Sequence, residues 1–172
     1  MPGDVLLINK MSLGPAIPFT KSRLFSINQP ERGDIIVFYP PGIDDQYVKR
    51  VVGLPGDRIH VKGAQVYING ELLHSRFQES GTHEILMKGI ETLGNGDHEI
   101  QLYSDRPVYG LSEEIQVPQG HYFVMGDFRN NSQDSRIFGT VPEENIIGRT
   151  RHILFSLSDS RSLFDSIGEP LR

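Results

Sequence analysis

A chain of 172 residues with a formal net charge of −5 is long enough to bury one core, or one core with an insertion, and lacks the basic face that nucleic-acid binding needs. Cysteine is absent, which excludes disulfides, zinc–thiolate sites and a thiol nucleophile. No run approaches the roughly 18 apolar residues of a membrane-spanning helix, and Met1-Pro2-Gly3-Asp4 does not open a signal peptide, so the sequence taken alone reads as soluble.

Eighteen Gly and eleven Pro predict frequent turns between many short strands. Val5-Leu6-Leu7-Ile8 reads as a buried strand, too short for a helix. Residues 11–32 read as a long loop whose Met11, Leu13, Ile17, Phe19, Leu24, Phe25 and Ile27 either fold back onto the core or dip into lipid. Asp34 to Phe38 and Tyr47 to Val52 are the next strands, the second stopped by Gly53-Leu54-Pro55-Gly56-Asp57. Arg58 to Val61 and Gln65 to Ile68 form a hairpin around Lys62-Gly63-Ala64, and Asn69-Gly70 turns tightly into Glu71-Leu72-Leu73.

From His74 to Pro118 the pattern weakens. Ile85 to Met87 and Glu99 to Tyr103 read as strands, but Gly94, Gly96 and Gly110 break the region, so 74–118 is expected to be an insertion or small second lobe. The strong pattern resumes with His121 to Met125, and Ile146 to Arg149 and His152 to Phe155 close the core. The expected division is a core of 1–73 and 119–158, the 74–118 insertion, and a 159–172 tail with helical character near 160–167. The class is mainly β.

Candidate chemistry sits on the strand from Tyr47 to Val52. Alternate side chains of a strand share a face, so Tyr47, Lys49 and Val51 point one way and Val48, Arg50 and Val52 the other. A buried lysine is costly because desolvation penalises its charged form. An exposed lysine, with a pKa near ~10.4, is neutral only about one part in a thousand near neutral pH. Burial would make Lys49 a usable base toward a serine hydroxyl. The alternative is that Lys49 reaches solvent or pairs with a carboxylate. The second candidate is the polar loop 126–141, which packs Asp127, Arg129, Asn130, Asn131, Ser132, Asp134, Ser135 and Arg136 between two apolar strands. Asp134 and Arg136 could form a bidentate pair, and Ser132 or Ser135 could bond an amine. An acceptor-rich surface turn is the alternative reading. The six histidines show neither metal-ligand nor triad spacing.

Three segments in this order resemble the bacterial type I signal peptidases. They are Arg32-Gly33-Asp34-Ile35-Ile36-Val37-Phe38; the lysine box from Tyr47 to Asp57; and Gly126-Asp127 through Ser132-Gln133-Asp134-Ser135-Arg136 to Phe138-Gly139 and Val141-Pro142. The resemblance implies a signal-peptidase-type fold of short antiparallel strands with an inserted smaller β-rich lobe. It implies a serine endopeptidase that removes N-terminal signal peptides after small, Ala-x-Ala-like residues, without a cofactor or metal. Lys49 would be the general base, Ser132 would orient its amine, and Asp134 and Arg136 would form a salt bridge holding the loop. Val48 and Tyr47 would line the shallow substrate pockets. The implied partners are the signal peptides of exported preproteins and, for the full-length protein, the membrane surface. Its implied location is the bacterial cytoplasmic membrane, with the catalytic domain on the outer side. Phe128 and Gln46 depart from the family pattern, where Asn and Asp are usual, without removing a proposed catalytic group.

The family's nucleophile lies in a Ser-Met-x-Pro-Thr-Leu segment, with Gly-Asp and a Leu-rich strand after it. Gly3-Asp4-Val5-Leu6-Leu7-Ile8 matches that Gly-Asp and strand. The nucleophilic serine, the membrane anchor and a serine donor of the oxyanion hole are therefore expected upstream of Met1. The polypeptide 1–172 is expected to be inactive alone, with Ser12 no substitute. The competing expectation is a serine-less paralogue acting as a non-catalytic scaffold in pilus or secretion machinery.

Overall fold

A computed structural model describes residues 4–6, 29–78, 85–94, 96–150 and 153–156. Its strands, in chain order, are β1 (Asp4–Leu6), β2 (Ile35–Phe38), β3 (Tyr47–Gly53), β4 (Arg58–Lys62), β5 (Gln65–Ile68), β6 (Glu71–Leu72) and β7 (Ser75–Phe77). β8 (Leu86–Leu93), β9 (Gly96–Tyr103), β10 (Ile115–Gln116), β11 (His121–Met125), β12 (Val141–Pro142), β13 (Ile146–Thr150) and β14 (Ile153–Ser156) complete the set. A helical turn, α1 (Ser135–Phe138), and a 3-10 turn (Glu143–Asn145) interrupt them. The fold is mainly antiparallel β.

The central sheet has the order β12-β11-β3-β2-β13. Its strands are rich in Val, Ile and Phe, whose branched or flat side chains suit a pleated surface, and both of its faces are buried. On one face Ile36, Phe38, Val51, Tyr122, Val124, Val141 and Ile146 form a cluster. On the other, Val52, Phe123 and Met125 pack with Ile59, Val61 and Val66 of the sheet β10-β4-β5-β6, and with Leu93 and Val117. Each large apolar side chain removed from water contributes about 1.5–3 kcal/mol, so these two layers fix the central sheet. Alternation along β3 sends Val51 to the first cluster and Val52 to the second. The same parity separates Lys49 from Arg50.

The β4–β5 hairpin is one residue tighter than the sequence suggests: Lys62 pairs with Gln65 inside the ladder, leaving Gly63-Ala64 as the turn. At the next turn Asn69 (φ 55°) and Gly70 (φ 86°) both take the left-handed region, as a two-residue hairpin connection requires. Segment 74–118 forms the sheet β7-β8-β9 and the strand β10, and it supplies Leu93 and Val117 to the second cluster. The two strands expected here are longer than the sequence suggests. Leu86–Leu93 and Gly96–Tyr103 are one continuous hairpin, with Gly94 (φ 63°) in the turn between them and Gly96 inside the ladder, paired to Leu93. The first strand is described over Asp4–Leu6, where it pairs with β14. Most of the 11–32 loop, Ser12 and the 159–172 tail lie outside the described residues.

Candidate active site

Lys49 emerges from β3 on the same face as Tyr47 and Val51, opposite Ile36 of β2. Tyr47 packs edge-on against Phe38 (6.4 Å) and Phe138 (6.1 Å), and its ring lies 5.8 Å from Lys49 Nζ. The floor beneath the amine is therefore aromatic. β11 pairs with β3 only from Arg50 to Gly53, so Tyr47, Val48 and Lys49 run past its end. There the chain leaves the sheet at Gly126 and enters the polar loop.

Gly126 allows the loop to close over the lysine. A Cβ at this position would overlap Ser132 Oγ, and would stand 2.6 Å from Ser132 Cβ and 3.5 Å from Lys49 Nζ. The missing side chain is what brings the hydroxyl and the amine to one spot. Ser132 Oγ is buried and has no hydrogen-bond partner among the described residues. Ser135, the other serine the sequence left open, is buried and accepts from Val124 N at 2.9 Å, so it ties the loop to β11.

Asp134 is fully buried and organises the turn. It accepts from Gly126 N at 3.0 Å and caps α1 through Arg136 N at 3.2 Å. It also takes both arms of Arg136, Nε at 2.8 Å and Nη2 at 2.7 Å. Arg136 Nη2 donates as well to Arg129 O at 2.6 Å. Tyr47 OH donates to Gln133 Oε1 at 3.0 Å, joining β3 to the loop. Val48, on the opposite face of β3, is 41% exposed.

Burial pushes the Lys49 amine below its ordinary 10.5. Asp134 and Asp127 pull it back up and Arg136 pushes it down, and burial prevails. Asp134 is the largest of the opposing charges, although Arg136 holds both of its oxygens. The arrangement favours an uncharged amine, the form able to accept a proton.

Sequence reasoning missed the ionic group behind the loop. Arg50, 6% exposed, donates to both carboxylate oxygens of Asp127, at 2.9 and 2.7 Å, and to Gly33 O at 2.9 Å. Glu91 and His98, cross-strand partners on the β8–β9 hairpin, are buried against Arg129 and Asp127. Arg129 Nη2 donates to Glu91, His98 Nε2 lies 3.4 Å from Glu91 Oε2, and it lies 4.0 Å from Asp127 Oδ1. Burial pushes the Asp127 carboxyl up, but the hydrogen bonds and charge of Arg50, with the charges of His98 and Arg129, bring it below its ordinary 3.8. Glu91 behaves alike: His98 and Arg129 outweigh its burial. The parity of Arg50, facing inward on β3, was the available signal. Its partner stands 77 positions away. No group of three or more His, Asp or Glu side chains is placed to hold a metal ion among the described residues.

Residues 1–155 match the family model described as "Signal peptidase, peptidase S26". The chain is 36% identical to Signal peptidase I of Pseudomonas aeruginosa, over 92% of this chain and 61% of that protein. It is 41% identical to Signal peptidase I of Rickettsia massiliae, over 81% of this chain and 57% of that protein. A crystal structure of a signal peptidase I from Enterococcus faecalis is 29% identical, covering 72% of this chain and 97% of that one, with a TM-score of 0.47. The chain spans about three fifths of the length of the curated relatives it matches.

Proposed function

The chain belongs to the signal peptidase, peptidase S26, family, and from that premise we propose that it forms the catalytic part of a serine endopeptidase that removes signal peptides, with Lys49 as general base. The observation that carries this reading is the lowered proton affinity of Lys49 beside a buried serine hydroxyl, above a residue with no side chain.

In this reading the uncharged amine of Lys49 takes the proton of a serine hydroxyl as that oxygen attacks the scissile carbonyl, then returns it to the departing amine. Ser132 orients the amine, and the Asp134–Arg136 pair holds Ser132 in place. The nucleophile would come from the family's Ser-Met-x-Pro-Thr-Leu segment, a motif that does not occur within residues 1–172. The substrate would add an extended segment along Tyr47–Lys49 beyond the end of β11, a mode in which main-chain bonds give affinity and side-chain pockets give selectivity. Val48 would line the pocket that admits only small residues. The proposed setting is the outer side of the bacterial cytoplasmic membrane. No helix among the described residues is long and apolar enough to cross a membrane.

The test is cleavage of a preprotein with an Ala-x-Ala-like junction, by the chain joined to the Ser-Met-x-Pro-Thr-Leu segment. Lys49→Ala is expected to lower the rate by about 10²–10⁴-fold, the usual contribution of a general base, and Ser12→Ala to leave it unchanged. Wild-type rates in Lys49→Ala would overturn the assignment.

A further inference from the structure

The β8–β9 hairpin buries two titratable side chains that the proposed mechanism does not use. Glu91 is 1% exposed and His98 2%, and they face each other across the hairpin. A buried carboxylate is costly unless it is paired, and the only cation within reach of Glu91 among the described residues, apart from His98 itself, is Arg129 of the polar loop.

The attachment continues through the main chain. Gln101 N donates to Asp127 O at 2.8 Å and Arg129 N donates to Gln101 O at 2.7 Å, so β9 grips the loop on both sides of Phe128. Tyr103 N donates to Asn130 Oδ1 at 2.8 Å, Asn130 returns a bond to Tyr103 O at 2.7 Å, and the Tyr103 and Phe128 rings pack tilted with centroids 4.7 Å apart. From Arg129 the chain of contacts reaches the lysine in three steps. Arg129 O accepts from Arg136, Arg136 holds Asp134, and Asp134 holds Gly126 N, which lies beside Ser132 and Lys49.

We propose that Glu91 and His98 are positioning residues for Lys49: by fixing Arg129 and Asp127, the hairpin sets how closely the 126–132 turn covers the amine. This inference rests on reading Lys49 as the general base. The groups acting on Lys49 are Asp127 and Asp134, which favour its charged form, Arg136, which opposes it, and the Tyr47 ring. Burial outweighs them, so a turn that lifts and admits water raises the proton affinity of the amine.

The experiment tracks the Lys49 side-chain amine by NMR through a pH titration of the full chain, in the parent and in Glu91→Gln, His98→Gln and Leu93→Val. Leu93 belongs to the same hairpin and to the apolar cluster, outside the ionic group, and serves as the stability control. Lys49 is expected to titrate at higher pH in Glu91→Gln, and in the same direction but by less in His98→Gln. Leu93→Val is expected to lower the unfolding midpoint and leave the titration in place. In the whole enzyme, Glu91→Gln then loses kcat roughly tenfold near neutral pH, recovers it at higher pH, and keeps its KM. A depressed parent titration that neither Glu91→Gln nor His98→Gln moves would overturn this inference alone, as would an equal shift in Leu93→Val. A parent Lys49 that titrates like an exposed lysine would overturn the general-base reading and this inference with it. Should Glu91→Gln fail to fold, the His98→Gln titration decides.

Discussion

Lys49 and Arg50 are neighbours on one strand, yet the two faces of β3 treat their cations in opposite ways. Arg50 enters a closed ionic group in which Asp127 meets its guanidinium with both oxygens. Lys49 is given an aromatic floor and a glycine turn, and Asp134, one of the carboxylates that act on it, is engaged by Arg136. Arginine stays charged at any accessible pH and its planar fork suits a bidentate carboxylate, whereas the lysine amine gives up its proton when stripped of water. At Lys49 burial prevails over the carboxylates that act on it, whereas Arg50 is met directly by both oxygens of Asp127.

The strongest way to break this contrast is to free Asp127. Arg50→Met is expected to cost about 3 kcal/mol in urea unfolding, the low end for breaking a buried ion pair, because Asp127 keeps 38% of its side chain accessible to water. It should also move the Lys49 titration upward, since the carboxylate no longer offset by Arg50 acts more strongly on the amine. Adding Asp127→Leu to Arg50→Met should recover most of the lost stability, as an apolar pair leaves no unpaired charge. Equal stability of the single and double variants would show that the pair is not what holds this side.

Gly126→Ala attacks the lysine side directly. Its Cβ overlaps Ser132 Oγ, so the turn must lift, at a cost of about 1–3 kcal/mol for overpacking and with Lys49 more readily charged. On a Ser132→Gly background the same substitution should cost much less, because the atoms it meets are gone. An unchanged cost on that background would point to contacts other than Ser132.

The smallest effect has the opposite sign. The folded-state pKa of Lys49 lies below 10.5, so at low pH both folded and unfolded chains carry the proton and the cost of burying it is fully present. As pH rises from the folded-state pKa toward 10.5 the folded chain releases its proton first, and the cost disappears. Lys49→Met is therefore expected to stabilise the fold by about 0.5–2 kcal/mol at neutral pH, the range typical of removing a functional compromise. The gain should shrink as the pH approaches 10.5. A gain independent of pH would mean that packing, not charge, produces it.

The contrast between legible and illegible parts of the molecule runs along the same line as the contrast between the two faces. β2, β3 and β11 could be read because most of their buried positions are Val, Ile, Phe, Tyr and Met, and turn residues mark their ends. The β8–β9 hairpin could be read only at its outer ends, because the positions that face inward carry Gly89, Glu91, His98 and Gln101 among the apolar residues. Hydrophobic periodicity is blind to a buried face made of ions.

By itself, the amino-acid sequence determined the mainly β class, the parity that sets Lys49 against Arg50, and the family, because each of these depends on neighbours along the chain. Only the tertiary structure decided which serine stands by the amine and which ties the loop to β11. It likewise decided that Glu91 meets Arg129, that His98 lies beside Glu91 and Asp127, and that Asp127 bonds Arg50. Those outcomes depend on which groups are brought within bonding distance after the chain has folded, and a side chain's charge and hydrogen bonds answer to its neighbours in space.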